Sequence, residues 1–183
     1  MIIETERLLL RPFQLGDEAD LFAYLNDPLP HCFDCMHLDE PEQATSEVQS
    51  RAEDGEYYFA IVCKEDGRVI GEIDAHPESV APGEAPNDTF SPCWLLNRTY
   101  HGKGYAYEAA HAFFDYLFHE KGARRIYAYT EEDNLASQHL CERLGMRREG
   151  MFVEFVSFVN NPDGTPLYEN TIQYAILKKE WDK

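Results

Sequence analysis

The chain is short of basic residues: Lys and Arg number 16 against 34 Asp and Glu among its 183 residues, a net charge of −18. A surface of that sign repels a phosphate backbone, which argues against a general nucleic-acid binder; the plain reading of the acidity is solubility, and the alternative is steering of a cationic amine substrate. An apolar run of membrane-spanning length is missing as well. The first residues, MIIETERLLLRPF, place Glu4, Glu6 and Arg7 where a secretory leader needs an unbroken apolar stretch. The five cysteines are odd in number, spread from Cys32 to Cys141 and without framework spacing, so they read as thiols in a reducing compartment. No membrane association and a cytoplasmic location are expected. Internal repeats and low-complexity tracts are also lacking.

What is present is core material, with 11 Phe and 11 Tyr in a composition that is 44% hydrophobic, enough for one domain over residues 1–183. Leucine-rich Glu6 to Phe13 reads as a strand. A helix from Asp17 to Asn26 follows, with Asp17 as N-cap and Leu21, Phe22 and Leu25 on one face. A second helix starts at Asp39, has Pro41 in its first turn, and turns Ala44, Val48 and Ala52 inward. Tyr57 to Lys64 and Arg68 to His76 form a hairpin about Asp66-Gly67, Pro77 to Asp88 is a loop, and Ser91 to Asn97 is a strand. From Gly104 to Glu120 apolar residues recur at helical spacing, with a stop at Lys121-Gly122. Arg125 to Thr130 is a strand and Asn134 to Leu144 a helix ended by Gly145. Gly150 to Phe158 and Thr171 to Leu177 are strands flanking the turn-rich loop Asn160 to Gly164. The order is that of a mixed α/β (α+β) domain.

One junction carries chemistry. In His101-Gly102-Lys103-Gly104-Tyr105-Ala106, two glycines lie between a strand and the most periodic helix, where bare backbone approaches an anion and unpaired amides point at it. A sharp turn alone would also favour glycine there. No Ser or Thr follows Lys103 as a P-loop needs, and Tyr107 fills the third glycine position of a dinucleotide fingerprint, so both of those readings lose ground.

The turn resembles the signature of the GNAT acetyltransferase superfamily, Gln/Arg-x-x-Gly-x-Gly/Ala, with Gly104 and Ala106 matching and His101 standing where Gln or Arg is usual. Thr5-Glu6-Arg7-Leu8, Leu10-Arg11-Pro12, Asn26-Asp27-Pro28, Asn134-Leu135-Ala136-Ser137, Leu144-Gly145-Met146 and Tyr174-Ala175-Ile176-Leu177 extend the likeness to the ribosomal-protein N-acetyltransferase (RimJ/RimL-type) branch. The resemblance implies a twisted, mostly antiparallel sheet with helices on both faces and a splayed strand pair that takes acetyl-CoA as co-substrate. It implies that backbone at Leu95, Leu96 and Asn97 meets the pantetheine or acetyl group. Amides of His101, Gly102, Lys103, Gly104, Tyr105 and Ala106 would hold the pyrophosphate, with Asn134 and Ser137 at the cofactor arm. An amine acceptor, as a small molecule or a protein amino terminus, and a possible homodimer come with it.

Acetyl transfer needs a neutral amine, a donor for the oxyanion and a proton for the departing thiolate. Many relatives place a tyrosine where this chain has Cys141, so Ser137 becomes the expected acid, with helix capping the plainer alternative. Alternation puts Glu72, Asp74 and His76 on one strand face, and Glu72 is the expected base, unless it merely faces solvent or a water chain serves instead. The segment His31 to His37 contains Cys32-x-x-Cys35 between histidines but has no second ligand pair downstream, so no metal is expected. In the family this segment lines the acceptor pocket, where Asp34 would meet an amine. A non-catalytic acyl-CoA-binding module and a zinc-stabilised interaction domain are the competing readings.

Overall fold

The computed structural model describes residues 1–28, 31–78 and 87–183, the side chain of His31 excepted. The strands are β1 (Ile3–Glu4), β2 (Leu8–Arg11), β3 (Tyr58–Cys63), β4 (Val69–Pro77), β5 (Thr89–Leu96), β6 (Arg125–Glu131), β7 (Arg147–Val156) and β8 (Glu169–Leu177). The helices are α1 (Glu18–Leu25), α2 (Gln43–Glu53), α3 (Tyr105–His119), α4 (Leu135–Arg143) and the single turn α5 (Lys178–Trp181). The strands form one eight-stranded sheet in the order β1-β2-β3-β4-β5-β6-β8-β7. Every neighbouring pair is antiparallel except β5 and β6. The mixed α/β class expected from the sequence is the class observed.

Strand alternation sends side chains to opposite faces, and each face has its own core. On one, Phe113, Phe114, Leu117 and Phe118 of α3 pack on Leu10, Phe59, Ile61 and Ile73. On the other, Leu21 and Leu25 of α1 and Ala44 and Val48 of α2 pack on Ala60, Val62 and Leu95. The sheet is thereby clothed on both sides.

Several sequence expectations shift. The first strand, expected over Glu6 to Phe13, shortens to β2, and β1 is an unexpected extra edge ahead of it. Asp17 sits at the N-cap of α1 but makes no capping bond. Its carboxylate instead accepts from Arg11 at 2.7 and 2.8 Å and from the Gln14 amide. In α2, Ala52 is exposed and Arg51 is the third inward residue after Ala44 and Val48. A buried carboxylate across the interface, Glu72, reverses the usual preference of a guanidinium for solvent. The loop expected over Pro77 to Asp88 lies largely outside the described residues, and β4 runs on through Pro77.

Candidate active site

β5 leads through α3 to the parallel strand β6, a βαβ crossover, and such switch points are where open α/β sheets bind ligands. The two strands pair only at Thr89 with Arg125 and Phe90 with Ile126, then diverge. A cavity of about 570 Å³ follows β5 past the glycine turn and α4, lined among others by Trp94, Leu96, Gly102, Gly104, Asn134 and Ser137.

Hydrogen bonding decides which backbone groups face this cleft. The Asn97 amide donates to the Ile70 carbonyl at 2.7 Å, so Asn97 is tied to β4. Bonding direction alternates along an antiparallel strand, which turns Leu95 toward β4 as well and leaves the Leu96 amide and carbonyl pointing at the gap before β6. The expectation that Leu95, Leu96 and Asn97 all offer backbone narrows to Leu96. Its carbonyl accepts from His101 Nε2 at 2.9 Å, so His101 pins the turn to the strand through its ring. Gly71 explains the tight fit of β4 on β5, since a Cβ there would lie 2.2 Å from the Leu95 carbonyl oxygen.

At the turn, Gly102 and Gly104 have φ of +74° and +83°, and Gly104 is the left-handed N-cap of α3. The first intrahelical bond runs from the Glu108 amide to the Gly104 carbonyl, so the amides of Tyr105, Ala106 and Tyr107 come before any helical partner. Arg7 shapes the turn from outside. Its guanidinium donates to the Lys103 carbonyl at 2.9 Å and to Glu108 at 2.6 Å, and it lies over the Tyr105 ring. With Lys103 O held back by Arg7, the neighbouring amides are free to face an anion. Partial burial opposes ionisation of Glu108, but the bonds from Thr5 and Arg7 outweigh it and hold the carboxyl below its usual range. The Lys103 ammonium rests over Tyr100 and the Arg143 guanidinium over Tyr107 at the cleft, while Arg98 there is paired with Asp27 at 2.8 Å.

Asn134 caps α4, its side-chain oxygen accepting from the Ser137 amide at 3.1 Å. The Ser137 hydroxyl accepts from Trp94 Nε1 at 3.2 Å. An indole N–H only donates, so the serine proton is left for another acceptor. Cys141 is fully buried, and burial pushes its thiol up to about 12.

Glu72 is 2% exposed. It accepts from Tyr24 (2.9 Å), Tyr58 (2.7 Å) and Arg51 (3.0 Å), which leaves it little capacity to take a proton from a substrate. Asp74, on the same face, is different: burial first and the Glu72 charge next push its carboxyl up to about 7. It pairs across the strands with Cys93, which lines a second cavity of about 170 Å³. That cavity meets the first at Trp94, Asn134 and Ser137. Cys32 and Phe33, from the segment between α1 and α2, also line it; Asp34 does not. Among the described residues no group of three or more His, Cys, Asp or Glu is placed to hold a metal ion, and no helix is long and apolar enough to cross a membrane.

The profile of the acetyltransferase (GNAT) domain family matches residues 7–147. A Bacillus subtilis protein described as "Uncharacterized N-acetyltransferase YnaD" is 31% identical over 182 residues, covering 100% of both chains. A solved acetyltransferase (GNAT family) from Bacillus anthracis superposes with a TM-score of 0.83 at 29% identity, over 98% of this chain and 100% of that one. The ribosomal-protein-S5-alanine acetyltransferase of Vibrio fischeri shares the fold, with a TM-score of 0.74 at 20% identity over 99% of this chain and 98% of that one. The chain belongs to the GNAT acetyltransferase family and is an acetyltransferase.

Proposed function

We propose that the protein moves the acetyl group of acetyl-CoA directly to a primary amine in the cytoplasm, without an acetyl-enzyme intermediate. The single observation that supports this best is the continuous path from the unpaired amides at Gly104 to Tyr107, along Leu96, to Ser137, where the second cavity opens. In this reading the turn amides hold the pyrophosphate. The Leu96 amide faces the acetyl oxygen and donates to the oxyanion as it forms. The neutral amine attacks the carbonyl carbon, the C–N bond forms and the C–S bond breaks. Ser137 gives its proton to the thiolate, and Asp74 takes the surplus amine proton through water. Glu72 holds α1, α2 and β3 together beneath the site instead of serving as the base. Cys141, buried away from both cavities, takes no part.

Gly104→Val tests the anion site. A β-branched side chain at φ +83° is strained whatever the space around it, so the turn is expected to shift. Calorimetry is expected to show acetyl-CoA affinity falling at least about tenfold, the scale of one lost charge-assisted hydrogen bond. Unchanged affinity in a variant with native circular dichroism places the pyrophosphate elsewhere.

A further inference from the structure

The second cavity is walled by rings: Phe33, Trp94, Tyr129, Phe155 and Phe158. Tyr129, Phe155 and Phe158 remain 44%, 52% and 41% exposed. An apolar cavity of about 150 Å³ is enough to take one benzene ring, so the space of about 170 Å³ fits one ring-sized group. The backbone has been bent to build this wall. β7 loses register with β8 between Phe152 and Val156, and Glu154 there has φ of +49°. Such bulges re-aim side chains beside functional sites, and here Phe155 and Val156 reach the cavity.

Two polar groups in the same cavity keep hydrogen-bonding capacity that the described residues do not use. Thr130 is 4% exposed and, among the described residues, its Oγ1 has no hydrogen-bond partner. Glu131 is 8% exposed and accepts from the Cys32 amide at 2.9 Å and Asn134 Nδ2 at 3.3 Å, but among the described residues no cation pairs with it. A carboxylate has about four acceptor positions, and an enclosed one without a cation is held at a cost. Its bond to Asn134 puts it beside the junction of the two cavities.

We propose that this cavity is the acceptor site and that its acceptor is a small primary amine bearing an aromatic ring, an arylalkylamine. The inference rests on the acetyltransferase reading above. The ring lies among the aromatic walls, and the ammonium is gathered by Glu131 and delivered to the junction at Ser137. After losing one proton, the nitrogen forms the amide bond to the acetyl carbon while the carbon–sulfur bond breaks. A second proton leaves the nitrogen and the thiolate gains one, giving the N-acetyl arylalkylamine and CoA.

Thiol release with phenethylamine, n-hexylamine, spermidine and peptides beginning with Ser or Ala is the test. Phenethylamine is expected to have kcat/KM about tenfold or more above each of the others, the discrimination a shaped apolar pocket gives. Phe155→Ala and Glu131→Gln are each expected to raise its KM about tenfold with acetyl-CoA affinity unchanged. Thr130→Val is expected to raise Tm, by removing a buried unpartnered hydroxyl, while also raising KM. Preference for spermidine or a peptide, or an unchanged KM in Phe155→Ala, overturns the proposal and leaves acetyl transfer standing. If acetyl-CoA binds but no amine reacts, calorimetry of phenethylamine with the CoA-loaded protein decides, and no binding overturns the proposal. A chain that does not bind acetyl-CoA fails at the earlier reading, and this one with it.

Discussion

A hydroxyl that already accepts a hydrogen bond has its proton left to give, and Ser137 is in that position because Trp94 can only donate to it. Removing that proton should hurt the transition state more than the bound state. Ser137→Ala is expected to lower kcat on the scale of about 10²-fold to 10⁴-fold, less where water substitutes, with acetyl-CoA affinity nearly intact and Cys141→Ala far milder. A drop in Tm alone, with kcat intact, would make Ser137 a structural neighbour of Trp94. Asp74 offers a second test, because its carboxyl moves from an ordinary 3.8 to about 7 in the fold. The raised value means the folded state prefers the protonated acid. The stability this contributes is complete below pH 3.8 and is lost as pH rises to about 7. Asp74→Asn stays neutral throughout, so its Tm advantage over wild type is expected to grow from pH 4 to pH 7 and then level off. If Asp74 takes the amine proton, kcat/KM of the wild type also carries a step near pH 7 that the variant lacks, and identical pH profiles refute that role.

At the scale of elements, the glycine turn is shaped by β1, β2 and the chain between them as much as by α3. Arg7 touches the Lys103 carbonyl and Glu108, residues about a hundred positions away in sequence. Arg7→Ala is expected to weaken acetyl-CoA binding about tenfold, and Arg7→Lys, which keeps a charge for Glu108 but loses the planar fork, less so. Equal dissociation constants for all three proteins by calorimetry would show that the turn holds its shape unaided. This pairing also marks the boundary of what the sequence reveals. The turn and α3 were legible because their signals, two glycines and a helical period, are contiguous. Arg51 was not, since periodicity assumes that charge faces water and its partner Glu72 lies 21 residues on. Trp94 with Ser137, and Glu131 with Cys32, carry no local pattern either, so the second cavity was visible only as the segment His31 to His37. The bulge at Glu154 is likewise a tertiary event inside a run that reads as plain strand.

For the whole molecule, the mixed α/β class and the order of the main elements were readable from alternating periods and turn residues, because each needs only a few neighbours to declare itself. The sheet order was not, because nothing within β6 or β8 says that they will pair, with β7 sent to the outside. That order has a mechanical meaning. β6 and β8 are in register over seven residue pairs, from Arg125 with Leu177 to Glu131 with Thr171, whereas β5 and β6 share two. Backbone pairing therefore divides the sheet into two runs, β1 to β5 and β6-β8-β7, joined by a two-pair seam, while the apolar core under α3 reaches across that seam through Ile126, Ile172 and Ile176. Local opening follows the weakest boundary between packed units. Native-state amide exchange is expected to fall into two groups divided at Phe90 and Ile126, and a ligand that spans the seam should slow both and bring their opening free energies together. One exchange group in the free protein would mean that the core under α3 makes the two runs a single body.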